Sequence, residues 1–160
     1  MEPSGLWVTR PRVLATAIGH PGKASLIAEN AHTCSRMLGW SADNKELVVS
    51  LDGQVRVYRR RTGAHRVLAD GTHPSWSPDG RWIAFQPRQG KAALINVTTG
   101  SRKDILSNRE ILYGMQWSPD SRYLLYCDRQ RHIWGDTSLG VYRLKDGVSA
   151  PTRVQDSRFA

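Results

Sequence analysis

Trp76-Ser77-Pro78-Asp79-Gly80-Arg81-Trp82-Ile83-Ala84-Phe85 is the stretch on which the fold turns. Pro78 fixes φ near the value a turn needs, Asp79 can hydrogen-bond the backbone ahead of it, and Gly80 accepts positive φ. Trp76 closes a short strand beginning near His73, and Trp82 to Phe85 opens another, rich in aromatic and branched residues. The segment therefore predicts a β-hairpin with a polar turn and apolar arms.

The same phrase occurs twice more in the same register. Trp40-Ser41-Ala42-Asp43-Asn44-Lys45 precedes Leu47-Val48-Val49, and Trp117-Ser118-Pro119-Asp120-Ser121-Arg122 precedes Leu124-Leu125-Tyr126. Asn44 and Ser121 stand where Gly80 stands, and Ala42 replaces the proline. The copies begin about 36 and about 41 residues apart, the period of a four-stranded propeller blade.

The second half of each unit repeats as well. Gln54 to Tyr58, Ala92 to Val97 and Gly140 to Leu144 are strand-like runs. Each is followed by a Thr-Gly or Asp-Gly turn and a returning strand. Turn signals every 8–12 residues or so leave no room for amphipathic helices. The expected fold is all-β: blades of four antiparallel strands, about three full blades plus one partial blade, as a partial or open propeller.

The expected boundaries are a partial N-terminal blade at 1–35, blades at 36–70, 71–110 and 111–155, and a tail at 156–160. The N-terminal part carries Leu6-Trp7-Val8-Thr9, Arg12 to Ile18, a His20-Pro21-Gly22 turn and Ala24 to Ile27, but no Trp-Ser-Pro-Asp hairpin. Propellers typically close with four to eight blades. The 160 residues either form a small four-bladed ring, or pair with a second copy, or belong to a longer propeller.

The repeat resembles the WD-like β-propeller repeat of the TolB family. It is also similar to the propeller domains of the prolyl oligopeptidase and dipeptidyl peptidase families. The resemblance covers roughly Arg36 to Val154 and speaks to repeat type more than to function. It implies either a non-catalytic protein-interaction scaffold of the TolB kind, or a propeller fragment or gating domain of a prolyl-oligopeptidase-like serine hydrolase whose catalytic domain lies elsewhere. TolB-family proteins are periplasmic. The N-terminus here, Met1-Glu2-Pro3-Ser4-Gly5, has no basic region followed by an apolar run. The default expectation is thus a cytoplasmic protein, with a periplasmic one as the alternative if the N-terminus is incomplete.

No GxSxG, HExxH or glycine-rich phosphate loop occurs, and the expectation is a protein that is not an enzyme. His20, His32, His65, His73 and His132 are scattered without ligand spacing, so no metal or cofactor is expected. Cys34 and Cys127 lie far apart and read as buried free thiols. No run of 18 apolar residues is present to span a membrane.

The net charge is +9. Arg59-Arg60-Arg61, Arg81 with Arg88 and Lys91, Arg102-Lys103, and Arg129-Arg131-His132 are the basic clusters. A basic rim attracts nucleic acid, anionic lipid or an acidic partner, but no nucleic-acid motif is present and aromatics do not interleave with the basic runs. Lys45, Arg81 and Arg122 follow Asp43, Asp79 and Asp120 at one spacing. They read as turn partners of those aspartates rather than as a ring of ligand-binding groups. Trp40, Trp76 and Trp117 read as core residues sealing seams between blades, each burying on the order of 200 Å².

One segment departs from the repeat. Asp128 to Ser138 is longer than the matching connections and carries Arg129, Arg131, His132 and Trp134. Extra length in a regular array maps to one face and often to binding. These four residues are the candidate partner-binding site, with Trp134 as anchor. Equally, His132-Ile133-Trp134 is an early start to the next strand.

Overall fold

A computed structural model of the chain describes residues 13–16, 24–28, 38–88, 92–107, 110–129, 137–145, 147 and 149–152. Every regular element among them is a strand. A hairpin pairs β1 (Val13–Thr16) with β2 (Ala24–Ala28). Then follow β3 (Gly39–Trp40), β4 (Glu46–Leu51), β5 (Gln54–Arg59) and β6 (His65–Trp76). Next come β7 (Trp82–Pro87), β8 (Ala92–Asn96) and β9 (Arg102–Ile105). The last four are β10 (Glu110–Trp117), β11 (Tyr123–Arg129), β12 (Thr137–Arg143) and β13 (Ser149–Thr152). They form three sheets, β1–β2, β3–β9 and β10–β13, and within each the strands pair antiparallel in chain order, as a meander. These are the four-stranded blades of a partial β-propeller.

The first two blades share a strand. Where a short strand beginning near His73 was expected, β6 runs through twelve residues. Its first half pairs with β5 and its second half with β7. It is the outermost strand of one blade and the innermost of the next. The handover falls at Gly71, whose N–H donates to the Gly53 carbonyl at 2.7 Å and whose carbonyl accepts from Ser50 Oγ at 3.0 Å. A side chain there would run into the Gln86 carbonyl and the Phe85 ring, so only glycine fits. Two residues on, the register with β7 slips between Thr72 and Ser75, a bulge in which His73 takes φ 53°. In the third blade β10 slips against β11 between Leu112 and Met115, with Gly114 at φ 86°.

Among the described residues, alternation along the strands builds one seam on each face of the second blade, and Leu47, Val49, Leu51 and Tyr58 on the other face of the first blade are buried as well. Val48, Val55 and Val57 of the first blade pack with Trp76, Ile83, Phe85, Ala93 and Ile95. Ala84, Ala92 and Leu94, on the opposite face of the second blade, pack with Trp117, Leu124, Tyr126 and Tyr142. Trp76 is 8% and Trp117 5% exposed. Trp40 departs from the expected core position: it is 44% exposed. A seam tryptophan is buried by the blade before it, and among the described residues no blade precedes β3.

The hairpin of β11 and β12 also departs from the expected irregular loop at 128–138. Their register runs unbroken from Tyr123↔Arg143 to Asp128↔Ser138 and Arg129↔Thr137. Asp128 continues the inward alternation of Leu124 and Tyr126 and is buried.

Candidate functional site

Each repeat turn is built from the same four contacts. In the second blade Ser77 Oγ donates to Asp79 Oδ1 at 2.6 Å and accepts from the Trp82 N–H at 2.9 Å. Asp79 Oδ1 accepts from the Arg81 N–H at 3.0 Å, and Arg81 Nε pairs with Asp79 Oδ2 at 3.0 Å. Ser41, Asp43, Lys45 and Glu46 repeat the set in the first blade, with Lys45 Nζ 3.2 Å from Asp43 Oδ2. Ser118, Asp120, Arg122 and Tyr123 repeat it in the third, with a 2.7 Å ion pair. The residue in the fourth position of the turn, Asn44, Gly80 or Ser121, has positive φ in all three.

The contacts lower the carboxyl pKa values. For Asp43 the Ser41 hydroxyl is the main cause, followed by the Lys45 amide and ammonium, and the value falls from 3.8 to about 2. For Asp120 the Ser118 hydroxyl leads, then the Arg122 guanidinium and amide, again to about 2. Burial pushes Asp79 upward, but Ser77 and Arg81 together outweigh it and the carboxyl is lowered. The exposed ion pairs add little by themselves; the hydrogen bonds define the turn.

The triple arginine lies where β5 turns toward β6. Arg59 ends β5, and the Thr62 and Gly63 amides donate back to its carbonyl. Arg59, Arg60, Arg61 and Lys45 line an open cleft of about 710 Å³ together with Asp43 and Glu46. Asp43 is paired with Lys45, and Glu46 with Arg66 at 2.9 Å. Among the described residues no ion pair engages Arg59, Arg60 or Arg61. The composition of the cleft is that of an anion-attracting rim. The sequence signal was the arginine run itself. The contribution of Lys45 from the neighbouring turn was not apparent, because it depends on the Arg60 amide bonding the Lys45 carbonyl at 2.9 Å.

Of the four residues singled out in the long connection, Arg129 is the last residue of β11. Arg131, His132 and Trp134 lie outside the described residues, as do Cys34, His20 and His32. Cys127 is a half-buried free thiol. His65 stacks on Tyr58 with ring centroids 4.8 Å apart, and His73 Nδ1 lies 3.0 Å from Thr72 Oγ1. Among the described residues no cluster of three or more His, Cys, Asp or Glu is placed to hold a metal ion. None contains a helix long and apolar enough to cross a membrane.

No protein-family profile matches the chain. Its fold is that of the TolB-type propeller. TolB from Acinetobacter baumannii superposes with a TM-score of 0.69 at 15% identity, covering 89% of this chain and 37% of that one. A putative TolB from Agrobacterium tumefaciens gives 0.64 at 19% identity, covering 80% and 51%. The tricorn protease gives 0.59 at 18% identity, covering 79% of this chain and 15% of its own. In sequence, 84 residues are 32% identical to an uncharacterized peptidase, YuxL, of Bacillus subtilis (strain 168). That match takes in 48% of this chain and 13% of the peptidase. The chain thus spans about half or less of the length of these proteins.

Proposed function

We propose that this chain is a non-catalytic β-propeller that acts as a protein-interaction scaffold, with partner contacts at Arg129, Arg131, His132 and Trp134. One observation carries the reading. The serine and aspartate that recur in every blade are closed on each other and on the amides of their own turn. The serine hydroxyl spends its proton on the carboxylate and a lone pair on an amide, so it is a turn element and not a nucleophile. The anionic partner surface that suits the basic rim is consistent with the same role. Cytoplasm is the proposed location, with periplasm the alternative; cell fractionation separates them.

The test has two arms. A fluorophosphonate probe and activated ester substrates should give no labelling and no turnover with the purified chain. Cross-linking in lysate should capture a partner that Trp134→Ala loses while the variant keeps its melting temperature. Serine-specific labelling of the chain overturns the reading.

A second reading is favoured by the YuxL identity and the tricorn likeness: the chain is the propeller portion of a prolyl-oligopeptidase-like hydrolase. A coding sequence that continues into a GxSxG-bearing segment would establish it.

A further inference from the structure

The turn after the third strand of a blade is built alike in all three blades. The Arg60, Val97 and Leu144 amides donate to the carbonyls of Lys45, Arg81 and Arg122, and the Gly63, Gly100 and Gly147 amides to those of Arg59, Asn96 and Arg143. These bonds align Arg59-Arg60-Arg61 with Asn96-Val97-Thr98 and with Arg143-Leu144-Lys145. In the second blade Asn96 and Val97 each have a local task. The Asn96 Oδ1 accepts from the Thr98 and Thr99 amides, and Val97 packs against the first seam. Leu144 packs against the second seam in the same way. The turn therefore forms without any arginine, and in both of these blades its middle position holds an apolar side chain.

In the first blade all three positions hold arginine, and all three side chains are exposed. Exposure accounts for a polar residue at Arg60. It does not account for three cations side by side, which repel one another. The cations line the cleft of about 710 Å³ together with Asp43, Lys45 and Glu46. Asp43 and Lys45 neutralise each other, and Glu46 is held by Arg66. Three guanidinium groups are left without an ion-pair partner among the described residues. They surround a cleft whose volume is within the range of ligand sites.

We propose that this cleft binds an acidic peptide segment of a partner protein, whose carboxylates are held by Arg59, Arg60 and Arg61. A guanidinium grips a carboxylate with two parallel N–H donors, which gives geometric specificity as well as charge attraction. Asn44 and Thr62, also in the lining, offer further donors and acceptors to the peptide backbone. The Asp43 and Glu46 carboxylates accept backbone amides equally well, but they oppose a continuous phosphate backbone. No aromatic side chain lines the cleft for bases to stack on. An acidic peptide therefore fits the cleft better than single-stranded nucleic acid does. The inference goes beyond the scaffold reading and does not depend on it. The contacts proposed there begin at the end of β11 in the third blade, and this cleft is in the first, so either can fail without the other.

Fluorescence anisotropy of the full chain with a labelled peptide of alternating glutamate and glycine tests it. The peptide should bind saturably at about 50 mM salt and more weakly at about 200 mM. The Arg59→Asn/Arg60→Val/Arg61→Thr variant carries the residues that form this turn in the second blade. It should keep the parent's circular dichroism and bind on the order of 30-fold more weakly. The Arg88→Gln/Arg102→Gln/Lys103→Gln variant loses the same charge from exposed positions elsewhere, and should bind within about twofold of the parent. The Arg59→Lys/Arg60→Lys/Arg61→Lys variant keeps the charge without the paired donors, and should fall between the two. A parent that shows no saturable binding overturns the proposal. So does an equal loss in the charge-matched control, or a lysine variant indistinguishable from the parent. An oligothymidine of matched charge that binds more tightly than the peptide, and through the same arginines, overturns it in favour of nucleic acid.

Discussion

Ser121 Oγ accepts a hydrogen bond from the backbone N–H of Asp79 at 2.9 Å, so the turn of the third blade is tied to the turn of the second. Ser121 sits at φ 59°, a conformation that costs a non-glycine residue, and it is nearly fully buried. The cost is offset by a cross-blade bond that the equivalent Gly80 has no side chain to make. The second seam gains two further polar ties: Trp117 Nε1 donates to the Ser75 carbonyl at 3.0 Å, and Gln86 Nε2 to the Ile111 carbonyl at 2.8 Å. The first is specific to this seam, because Trp76 Nε1 instead donates within its own turn, to the Gly80 carbonyl, whereas the second has a counterpart in the first seam, where Ser50 Oγ donates to the Gly71 carbonyl.

Ser121→Ala should keep the backbone strain and strand the Asp79 amide, lowering stability by about 1–2 kcal/mol. Ser121→Gly should lose the same bond but relieve the strain, and so cost less than about 1 kcal/mol. Urea midpoints of the two variants beside the parent measure the difference. Equal midpoints would mean that the hydroxyl contributes nothing across the seam.

The turn aspartates set an acid limit. Asp43 and Asp120 are held near about 2 in the fold against an ordinary 3.8, and Asp79 is lowered as well. The unfolded chain therefore binds more protons than the folded one in this range. The stabilisation is present above about pH 4 and is lost as pH falls from about 4 toward about 2. Thermal melts between those limits should show a falling midpoint. In the Asp43→Asn/Asp120→Asn double variant the Asn Oδ1 can still accept the turn bonds but cannot titrate, so the fall should be shallower. A profile as steep as the parent's would assign acid loss to other carboxyls.

The three repeat tryptophans should separate on truncation. Trp76→Ala and Trp117→Ala each empty a seam, and each should cost about 3–5 kcal/mol. Trp40→Ala, at a side chain already 44% exposed, should cost less, about 1 kcal/mol. Chemical denaturation of the three variants gives the ranking. A cost for Trp40 equal to the other two would show that its partial burial stabilises as much as a full seam contact.

What the sequence made legible was mostly what is local. The Ser-x-Asp-x-Arg turns can be read from residue chemistry, because every bond that shapes them spans five residues or fewer. The exposure of Trp40 could not be read, because a tryptophan in the repeat looks the same whether or not a blade precedes it. The continuity of β6 was hidden by His73-Pro74, which reads as a break in sequence but forms a bulge within a strand. Asp128 read as the start of the long connection because the segment it opens exceeds the matching ones; the inward register of Leu124 and Tyr126 decides its place instead. Ser121 did carry a signal that went unused: a serine at a position requiring positive φ, where glycine or asparagine is usual, points to a role for its hydroxyl. Of the candidate partner site, Arg129 has a described place, at the end of β11.

His73 and Gly114 occupy the same position of the repeat, three residues before the tryptophan, each in a bulge and each at positive φ. Glycine adopts that backbone without strain, whereas histidine pays about 1–3 kcal/mol. Against this, His73→Gly gives up the contact of Nδ1 with Thr72 Oγ1 and makes the unfolded chain more flexible, which together cost about 1 kcal/mol. The balance predicts a gain of up to about 2 kcal/mol for His73→Gly. The reciprocal change, Gly114→Ala, introduces the strain with no compensating bond and should cost about 1–2 kcal/mol. Denaturant unfolding of both variants checks the pair. Opposite signs locate the strain in the bulge backbone, whereas a loss in both would show that the His73 side chain, and not its φ, matters at this handover between blades.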